Sequence, residues 1–350
     1  MPTREKRAET FAPAVEQMLL HNPQVSVVMP TYNRGHLIGR SIRSVLNQTY
    51  PGFELIIVDD GSNDGTQDVV RQFDDGRIRY IRHEDNRGAA AARNTGIRSA
   101  AGAYVAFQDS DDEWLPRKLE RQMAILGMLS HEVGVLYSDM WRIGESREEY
   151  YHAPHITPDD GIIYTKALAN HVFGIGFPTA VLRRECFDRV GMLDEELRAL
   201  EDSEFYIRLS KHFCFYHLAE PLVNQYVTPV SVMHNPTAVA AALKRILNKY
   251  HDDISREPNL ELKYQVDIGL WLRLAGQTKE ARAFLGQAAS GNLVEACRHF
   301  VARVRAFGWR WPSISWAIVQ LSFLAARART AGIIRPIVST ARRYRGNNRS

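Results

Sequence analysis

The sequence predicts an α/β fold in which a mostly parallel sheet is flanked by helices and followed by a helical C-terminal extension. Short apolar runs alternate with amphipathic, helix-like stretches over about the first 140 residues, which is typical of parallel strands joined by covering helices. From about residue 236 only helical spacing remains. We therefore expect a flexible lead-in over 1–22, an α/β domain over 23–235 and a helical, basic region over 236–350.

The predicted elements of the first half follow one another in a regular order. Five apolar runs are the predicted strands: Val25–Met29, Glu54–Val58, Ile78–Ile81, Ala103–Phe107 and Val133–Tyr137. Four helix-like stretches lie between them, near 37–48, 65–73, 88–100 and 116–129. Pro30, Gly61 and Gly88 stand where the chain must turn between elements.

The second half is less regular up to residue 235. An apolar run at Thr179–Leu182, a helix-like stretch at Asp202–Lys211 and a strand-like run at Leu222–Val227 are its clearest elements. Tyr264–Ala289 has the spacing of one helical hairpin. A single copy of such a hairpin does not predict a repeat protein.

Charge is distributed unevenly along the chain. The net charge is only +4, but Glu295 is the last acidic residue. The arginines after it are Arg298, Arg303, Arg305, Arg310, Arg327, Arg329, Arg335, Arg342, Arg343, Arg345 and Arg349. Two interpretations stay open: a helical cap with its arginines in solvent, or a surface that lies on an anionic membrane leaflet. No nucleic-acid-binding motif accompanies the arginines, so a nucleic-acid partner is not predicted.

The N-terminal segment bears on location. Residues 1–22 are polar and lack the apolar core of a secretory signal. No apolar run reaches the ~20 residues of a spanning helix. We expect a cytoplasmic protein, located peripherally at the inner face of the membrane if the tail binds lipid.

Polar side chains follow three of the predicted strands. The strand ends read Pro30-Thr31-Tyr32-Asn33-Arg34, Asp59-Asp60-Gly61-Ser62 and Asp109-Ser110-Asp111-Asp112. Ligands of open α/β sheets bind beyond the carboxyl ends of the strands. Helix capping is the alternative for any one of these residues, but it does not explain so many carboxylates at three ends.

The strand ends also lack two phosphate-binding motifs. No GxGxxG follows the first strand, and no glycine-rich loop ends in Lys-Ser/Thr, which disfavours dehydrogenases and P-loop enzymes. Carboxylates repel a diphosphate unless a hard cation lies between them. We therefore interpret Asp109, Asp111 and Asp112 as a clamp for Mn²⁺ or Mg²⁺ and a diphosphate.

Two further segments carry candidate chemistry. Asn86–Gly96 combines small residues, which let a helix approach a sheet closely, with Arg93, placed either toward a ligand or on a solvated face. Glu201-Asp202 begins an amphipathic helix, where a carboxylate can serve as N-terminal cap or as a general base. Trp114 is either a wall of the ligand site or a packed aromatic.

These motifs together closely resemble glycosyltransferase family 2, whose members have the GT-A fold. The matching stretches are VSVVMPTYNR (25–34), IIVDDGSNDGT (56–66), NRGAAAARNTG (86–96), FQDSDDEW (107–114), FPTAVLRRECFDRVGMLDEEL (177–197) and LEDSEFYIRL (200–209). The resemblance covers about 24–230. It implies a donor half over about 23–140 and an acceptor half over about 141–235.

The resemblance also implies roles for single residues. The implied contacts to a nucleotide-diphosphate sugar, most often a UDP-sugar, are Pro30, Thr31, Tyr32, Asp60, Arg93, Asp109 and Ser110. Asp111 and Asp112 are the implied metal ligands, and which of them is the principal one stays open. Asp202 is the implied catalytic base, with Glu201 beside it.

The predicted function is inverting transfer of a sugar to a hydroxyl of a saccharide or lipid-linked acceptor, in bacterial surface polysaccharide or glycolipid synthesis. The QxxRW motif of processive members is absent, so we expect one sugar per binding event. A non-catalytic nucleotide-sugar-binding or scaffold protein with the same fold is the alternative. A nucleotidyltransferase is disfavoured, because the glycine-rich loop of that class is missing.

Overall fold

The computed structural model describes residues 23–145, 147–169, 174–227 and 235–306. The chain divides into two compact units between His234 and Asn235, one residue from the predicted boundary. The predicted lead-in over 1–22 and the arginines beyond residue 306 lie outside the described residues.

The first unit is built on four parallel strands. These are β1 (Val25–Thr31), β2 (Phe53–Asp59), β3 (Ile78–Arg82) and β4 (Tyr104–Phe107), paired in the order β3-β2-β1-β4. Every residue of β1 and β2 is buried, as expected for strands that are covered on both faces. Continuous apolar runs therefore predicted these strands correctly.

Four helices connect and cover these strands: α1 (Ile38–Leu46), α2 (Thr66–Val70), α3 (Ala89–Ser99) and α4 (Lys118–Leu126). Helix α3 lies unusually close to the sheet. A Cβ atom at Gly96 would stand 2.3 Å from Cγ1 of Val28, so only glycine permits this approach. The small residues of Asn86–Gly96 have the packing role that the sequence suggested.

The rest of the sheet is mixed in direction. It contains β5 (Glu113–Trp114), β6 (Val133–Ile143), β7 (Glu148–Tyr151), β8 (Ala180–Arg183) and β9 (Cys214–Tyr226), with the short helices α5 (Tyr164–Ala169), α6 (Glu185–Val190) and α7 (Glu201–Leu209). The strand order continues from β4 as β8-β6-β9-β5, and β7 pairs with β6. Because β8 is antiparallel to both β4 and β6, β6 runs parallel to β4.

Strand β9 is longer than the sequence suggested. The apolar pattern predicted Leu222–Val227, whereas the strand begins at Cys214. Its pairing with β6 shifts register near Pro221, because proline has no N–H to donate to a ladder. The irregularity breaks the alternation of side chains and hides the first half of the strand from pattern analysis.

The second unit is helical over its described residues. Its helices are α8 (Pro236–Lys249), α9 (His251–Arg256), α10 (Leu260–Leu274) and α11 (Thr278–Ala306), and the last has a non-helical residue at Asn292. Gly276, with φ +78°, makes the turn of the predicted hairpin. Val266, Leu270 and Leu285 pack in its core. Within the described ranges, no helix combines the length and the apolar character needed to cross a bilayer.

Candidate active site

The parallel strands bring the predicted site residues to one edge of the sheet. Thr31 pairs with Asp59 across β1 and β2, and Val28 pairs with Phe107 across β1 and β4. The segments after β1, β2 and β4 therefore leave the sheet side by side. The last residue of β1 is Thr31, and the segments after β2 and β4 contain Asp60 and Asp109. Residues that are far apart in the sequence therefore lie at one edge of the sheet.

Asp60 is buried and fixed by three hydrogen bonds. Its Oδ1 accepts from the backbone N–H of Arg87 at 2.9 Å, and its Oδ2 accepts from that of Gly88 at 2.7 Å. Nδ1 of His83 lies 2.7 Å from Oδ1. Because an ionised carboxylate only accepts, this geometry places the His83 proton on Nδ1.

His83 was not singled out from the sequence. It directly follows β3, so the strand-end rule that selected Asp60 could have found it. Its second ring nitrogen, Nε2, lies 3.0 Å from Oγ1 of Thr95 on α3. The imidazole is held at both ends, and it orients the carboxylate of Asp60.

The turns after β1 and β2 support each other. The backbone N–H of Asn33 donates to Oγ of Ser62, and the N–H of Asn63 donates to Oδ1 of Asn33, both at 2.9 Å. Tyr32, at the start of this junction, is 43% exposed. Pro30 and Thr31 are buried, and the Thr31 hydroxyl has no partner among the described residues. Tyr32 is thus the accessible aromatic surface at this edge.

The three aspartates of the acidic run lie in different environments. Asp112 is only 3% exposed, and its Oδ1 accepts from the backbone N–H of Tyr226 at 3.0 Å. Asp111 keeps a partly exposed carboxylate, with Nε of Arg34 at 3.7 Å from Oδ2. Asp109 is partly exposed and accepts from Nη2 of Arg93 at 2.7 Å. The side chain of Asp112 therefore points inward, and those of Asp109 and Asp111 reach the solvent edge.

Mutual repulsion affects the protonation of this run. Burial, followed by the charge of Asp109, raises the pKa of Asp111. Burial, followed by the charges of Asp109 and Asp111, raises the pKa of Asp112 well above its usual range. Neighbouring carboxylates are costly to ionise at the same time because their charges repel one another. Binding of a hard cation between them would remove this cost.

A buried aromatic side chain and a buried lysine pack on the inner side of the segment that contains the acidic run. Nε1 of Trp114 donates to the carbonyl of Pro178 at 3.0 Å. Nζ of Lys118 lies 4.0 Å from the centre of the Trp114 ring and donates to Oε1 of Gln122 at 2.7 Å. Trp114 is 1% exposed, so it is a packed aromatic under the acidic run and not a wall of the cleft.

Arg93 joins the acidic run to α7. Its guanidinium donates through Nη2 to Asp109 and through Nη1 to Oε1 of Glu201, both at 2.7 Å. Arg93 is 6% exposed, which excludes the solvated face that the sequence left open. Both Nη groups contact carboxylates, so the guanidinium fixes the distance between two predicted site residues.

The acidic pair at the start of α7 does not cap the helix. The residue at the N-cap position is Leu200, with φ +58°, and no side-chain hydrogen bond closes this end. Oδ1 of Asp202 accepts from the N–H of Ser203 at 2.6 Å. Burial, followed by the charge of Glu201, raises the pKa of Asp202 to about 7. A carboxylate with such a pKa can accept a proton near neutral pH.

The loop before α7 is anchored on α3. Asn94 donates through Nδ2 to the carbonyl of Leu193 at 2.9 Å and accepts from the N–H of Leu193 at 2.9 Å. Nη1 of Arg198 donates to the carbonyl of Arg87 at 2.8 Å. These contacts set where Leu200 and the following carboxylates begin α7. Asn94 lies in a motif that the sequence highlighted, but its partner is about 100 residues away, so its role was not predictable.

The residues at this edge of the sheet can supply part of the ligand set of a cation. Asp109 and Asp111 supply the hard oxygen donors that Mn²⁺ and Mg²⁺ prefer. In the ranges that the structure describes, no group of three or more His, Cys, Asp or Glu side chains could hold a metal ion alone. The donor set fits a cation that takes its remaining ligands from a diphosphate.

Comparisons with known proteins bear on the family and the fold. Residues 26–191 match the model of the family described as glycosyl transferase family 2. The chain is 36% identical over 217 residues to a putative teichuronic acid biosynthesis glycosyltransferase, TuaG, of Bacillus subtilis; the match covers 61% of this chain and 82% of TuaG.

A second relative has a specific name. The chain is 41% identical over 160 residues to WfgD of Escherichia coli, a UDP-Glc:alpha-D-GlcNAc-diphosphoundecaprenol beta-1,3-glucosyltransferase. The match covers 46% of this chain and spans 60% of WfgD.

Two solved structures share the fold. Staphylococcus aureus TarS 1-349, in complex with UDP-GlcNAc, has a TM-score of 0.57 at 19% identity; the match covers 88% of this chain and 92% of that one. The mannosyltransferase PcManGT from Pyrobaculum calidifontis, in complex with GDP-Man and Mn²⁺, has a TM-score of 0.54 at 22% identity. That match covers 88% of this chain and 86% of PcManGT.

Proposed function

Because the chain belongs to glycosyltransferase family 2, we propose that it transfers a sugar from a UDP-sugar to a hydroxyl of a saccharide or lipid-linked saccharide, with inversion. The observation that carries the proposal is the guanidinium of Arg93, which joins Asp109 of the donor half to Glu201, next to Asp202. A diphosphate-binding edge and a carboxylate with a pKa of about 7 thus adjoin each other, as a transferase of this class requires.

The donor would bind at the ends of β1, β2 and β4. Tyr32 offers its exposed ring to a base, and Asp60 offers a fixed acceptor for a base N–H. Uracil carries such a donor at N3. The name of WfgD, which states a UDP-glucose donor, supports a uridine nucleotide. Pro30, Thr31 and Ser110 would line the same pocket, and Arg93 would act on the donor through Asp109.

A divalent cation, Mn²⁺ or Mg²⁺, would supply Lewis-acid stabilisation of the leaving diphosphate when bound. Asp111 would hold it, with Asp109 contributing through its free oxygen. Asp112 would support the loop from inside, because one of its oxygens already accepts from Tyr226. This assignment favours Asp111 over Asp112 as the principal ligand.

Asp202 would act as the general base. The acceptor oxygen attacks the anomeric carbon as the bond from that carbon to the β-phosphate oxygen breaks, and its electron pair stays on the diphosphate. The acceptor proton passes to Asp202. A single displacement of this kind inverts the anomeric configuration. Positioned proton transfer typically contributes 10²–10⁴-fold.

The acceptor is proposed to be a saccharide of a bacterial surface polymer. The names of TuaG and WfgD, which state teichuronic acid biosynthesis and a diphosphoundecaprenol-linked saccharide, support it. A lipid-linked acceptor places the reaction at the cytoplasmic face of a membrane. The arginines after Glu295 would then bind anionic headgroups, each contributing about 1 kcal/mol near the surface.

The test is donor turnover by the purified full-length chain. We expect UDP release from one or more of UDP-glucose, UDP-N-acetylglucosamine and UDP-galactose with Mn²⁺ present, and much less from GDP-mannose. Asp202→Asn should bind UDP as tightly as the wild type and transfer no sugar. Failure of every UDP-sugar to bind, measured by calorimetry, would contradict the proposal.

A further inference from the structure

Three aromatic side chains form a cluster on the hairpin of β6 and β7. The indole of Trp141 and the ring of Tyr150 pack edge to face, with centroids 4.9 Å apart. The imidazole of His152 follows, 4.4 Å from Tyr150 between ring centroids. Trp141 and Tyr150 are half-buried, while the His152 side chain is 80% exposed. We call these three residues the hairpin aromatic cluster.

A buried carboxylate fixes the cluster from beneath. Oδ2 of Asp139 accepts from the Tyr150 hydroxyl at 2.8 Å. Oδ1 accepts from the backbone N–H of Ala153 and lies near Nε2 of His217, each at 2.8 Å. Asp139 is 1% exposed. Burying a carboxylate is costly unless its oxygens are satisfied, and here their partners hold the aromatic rings in one arrangement.

Stabilisation of the hairpin does not account for every member of the hairpin aromatic cluster. Cross-strand aromatic pairs such as Trp141 and Tyr150 do stabilise antiparallel strands. That role does not explain the solvent-facing His152, whose imidazole extends the cluster beyond the pair. Preorganised aromatic surfaces with a polar rim are typical of ligand sites.

The cluster lies beside the acidic run. Trp141 of β6 is opposite Asn224 of β9, and Asn224 is opposite Glu113 of β5, which directly follows Asp112. Two interstrand spacings, about 10 Å, therefore separate Trp141 from Glu113. That distance is of the order of one or two sugar rings, and the cluster is therefore beside the donor edge and not within it.

The cluster also lies on the same side of the sheet as α7. Trp141 and Asp139 share a face of β6 with Tyr137, since side chains alternate along a strand. Tyr137 stacks on His217 of β9 at 5.2 Å. Phe215, two residues before His217 and therefore on the same face, packs against Tyr206 of α7 at 6.0 Å. Asp202 is one helical turn before Tyr206, so the proposed base and the cluster lie on one side of the sheet.

The chemistry of the cluster indicates a neutral sugar and not a phosphate. Arg142, the next residue along β6, stacks on the ring of Tyr151 at 3.7 Å and belongs to the opposite face. Aromatic faces suit the C–H face of a pyranose, and the exposed imidazole suits its hydroxyl rim.

We infer that the hairpin aromatic cluster binds the acceptor saccharide, with a sugar ring against Trp141 and a hydroxyl near His152, and so directs the nucleophilic hydroxyl toward Asp202. This inference rests on the proposed transferase function. Trp141 and His152 would set acceptor affinity and have no part in donor binding.

The experiment measures both substrates separately in the full-length protein with UDP and Mn²⁺. The acceptor probes are methyl glycosides of β-glucose, β-galactose and N-acetyl-β-glucosamine, detected by saturation-transfer NMR. Donor turnover is followed separately, as UDP release by hydrolysis of UDP-sugars with no acceptor added. The variants are Trp141→Ala, His152→Ala and the control Tyr151→Ala, which removes a ring from the opposite face of the same hairpin.

We expect Trp141→Ala to lose at least fivefold of the glycoside signal and His152→Ala at least twofold, with UDP release within twofold of wild type. Tyr151→Ala should keep the glycoside signal. Should Trp141→Ala be unfolded by its melting curve, His152→Ala decides, because the His152 side chain is 80% exposed at the edge of the cluster. Unchanged glycoside signal in the folded variants, or none in the wild type, overturns the inference. Absence of UDP release in the wild type overturns instead the proposed function.

Discussion

Nη1 of Arg93 lies 2.7 Å from Oε1 of Glu201, although the two residues are 108 positions apart in the chain. The same guanidinium donates to Asp109 at 2.7 Å. One buried cation therefore sets the spacing between the edge proposed to bind the diphosphate and the helix that carries Asp202.

Replacing Arg93 by lysine should disable this connection. A single ammonium cannot reproduce two parallel contacts from a planar fork. We expect Arg93→Lys to reduce kcat at least 100-fold and to lower stability by about 2 kcal/mol, because one of the two hydrogen bonds to charged groups is lost. Kinetics and denaturant unfolding measure the two effects. Arg98→Lys, at an exposed position on the same helix, is the matched control and should behave as wild type.

The electrostatic interaction between Arg93 and Asp202 leads to a second prediction for Arg93. Its positive charge lowers the pKa of Asp202, so Arg93→Met should move the acid limb of the pH–activity profile to higher pH. A purely structural loss would reduce the rate equally at every pH. An unshifted profile in a folded Arg93→Met protein would contradict the coupling.

Transfer should depend on pH through Asp202. A base with a pKa of about 7 is protonated below that value and active above it. We expect kcat to rise with pH up to about 7 and then to level off. Steady-state transfer between pH 5 and 9 measures the profile. Asp188→Asn, which changes an exposed carboxylate of α6, should leave it unaltered, whereas a flat wild-type profile would remove Asp202 from the role of base.

The same group should make stability depend on pH. The folded pKa of Asp202 lies above the ordinary value of 3.8, so the folded state favours the protonated form. The stabilisation is complete below about pH 4 and is lost as the pH rises through about 7. Asp202→Asn should therefore be more stable than wild type at pH 8, by on the order of 2 kcal/mol. Melting curves at pH 5 and pH 8 test this, since a gain that is equal at both values would have another origin.

Removal of divalent cations should abolish donor turnover. Asp111→Asn should weaken activation by Mn²⁺ at least tenfold, because Asp111 is the proposed ligand. Asp112→Asn should change Mn²⁺ activation less, since its side chain supports the loop through Tyr226. Titration of UDP release with MnCl₂ in the two variants compares them directly. Full turnover in chelator-treated wild-type protein would disprove the cation hypothesis.

Substitution of His83 should weaken binding of the UDP-sugar and leave the catalytic rate nearly unchanged. His83→Ala removes one of the three hydrogen bonds that orient Asp60, and such bonds to charged groups are worth about 1.5–3 kcal/mol. We expect the KM for the UDP-sugar to rise about tenfold with little change in kcat. His131→Ala is the control, because that side chain is 87% exposed. An unchanged KM would show that Asp60 needs no support from His83.

Local pattern alone determined much of this protein. Continuous apolar runs identified β1, β2 and β4, because strands that are covered on both faces leave little freedom in residue type. The position of Asp60, Asp109 and Asp111 just after those runs predicted that they lie at one edge of the sheet, since the ends of parallel strands meet there. The resemblance to glycosyltransferase family 2 followed from the same stretches, and the family comparisons confirm it.

Only the tertiary structure decided how these residues work together. Whether Arg93 faces solvent, and whether Asp202 caps its helix, depends on contacts between positions about 100 residues apart, which no local pattern contains. The inward position of Asp112 depends on the backbone N–H of Tyr226, which is 114 positions away in the sequence. Hydrophobic periodicity reports which face of one element is buried, whereas hydrogen bonds and pKa values depend on what another element places opposite it.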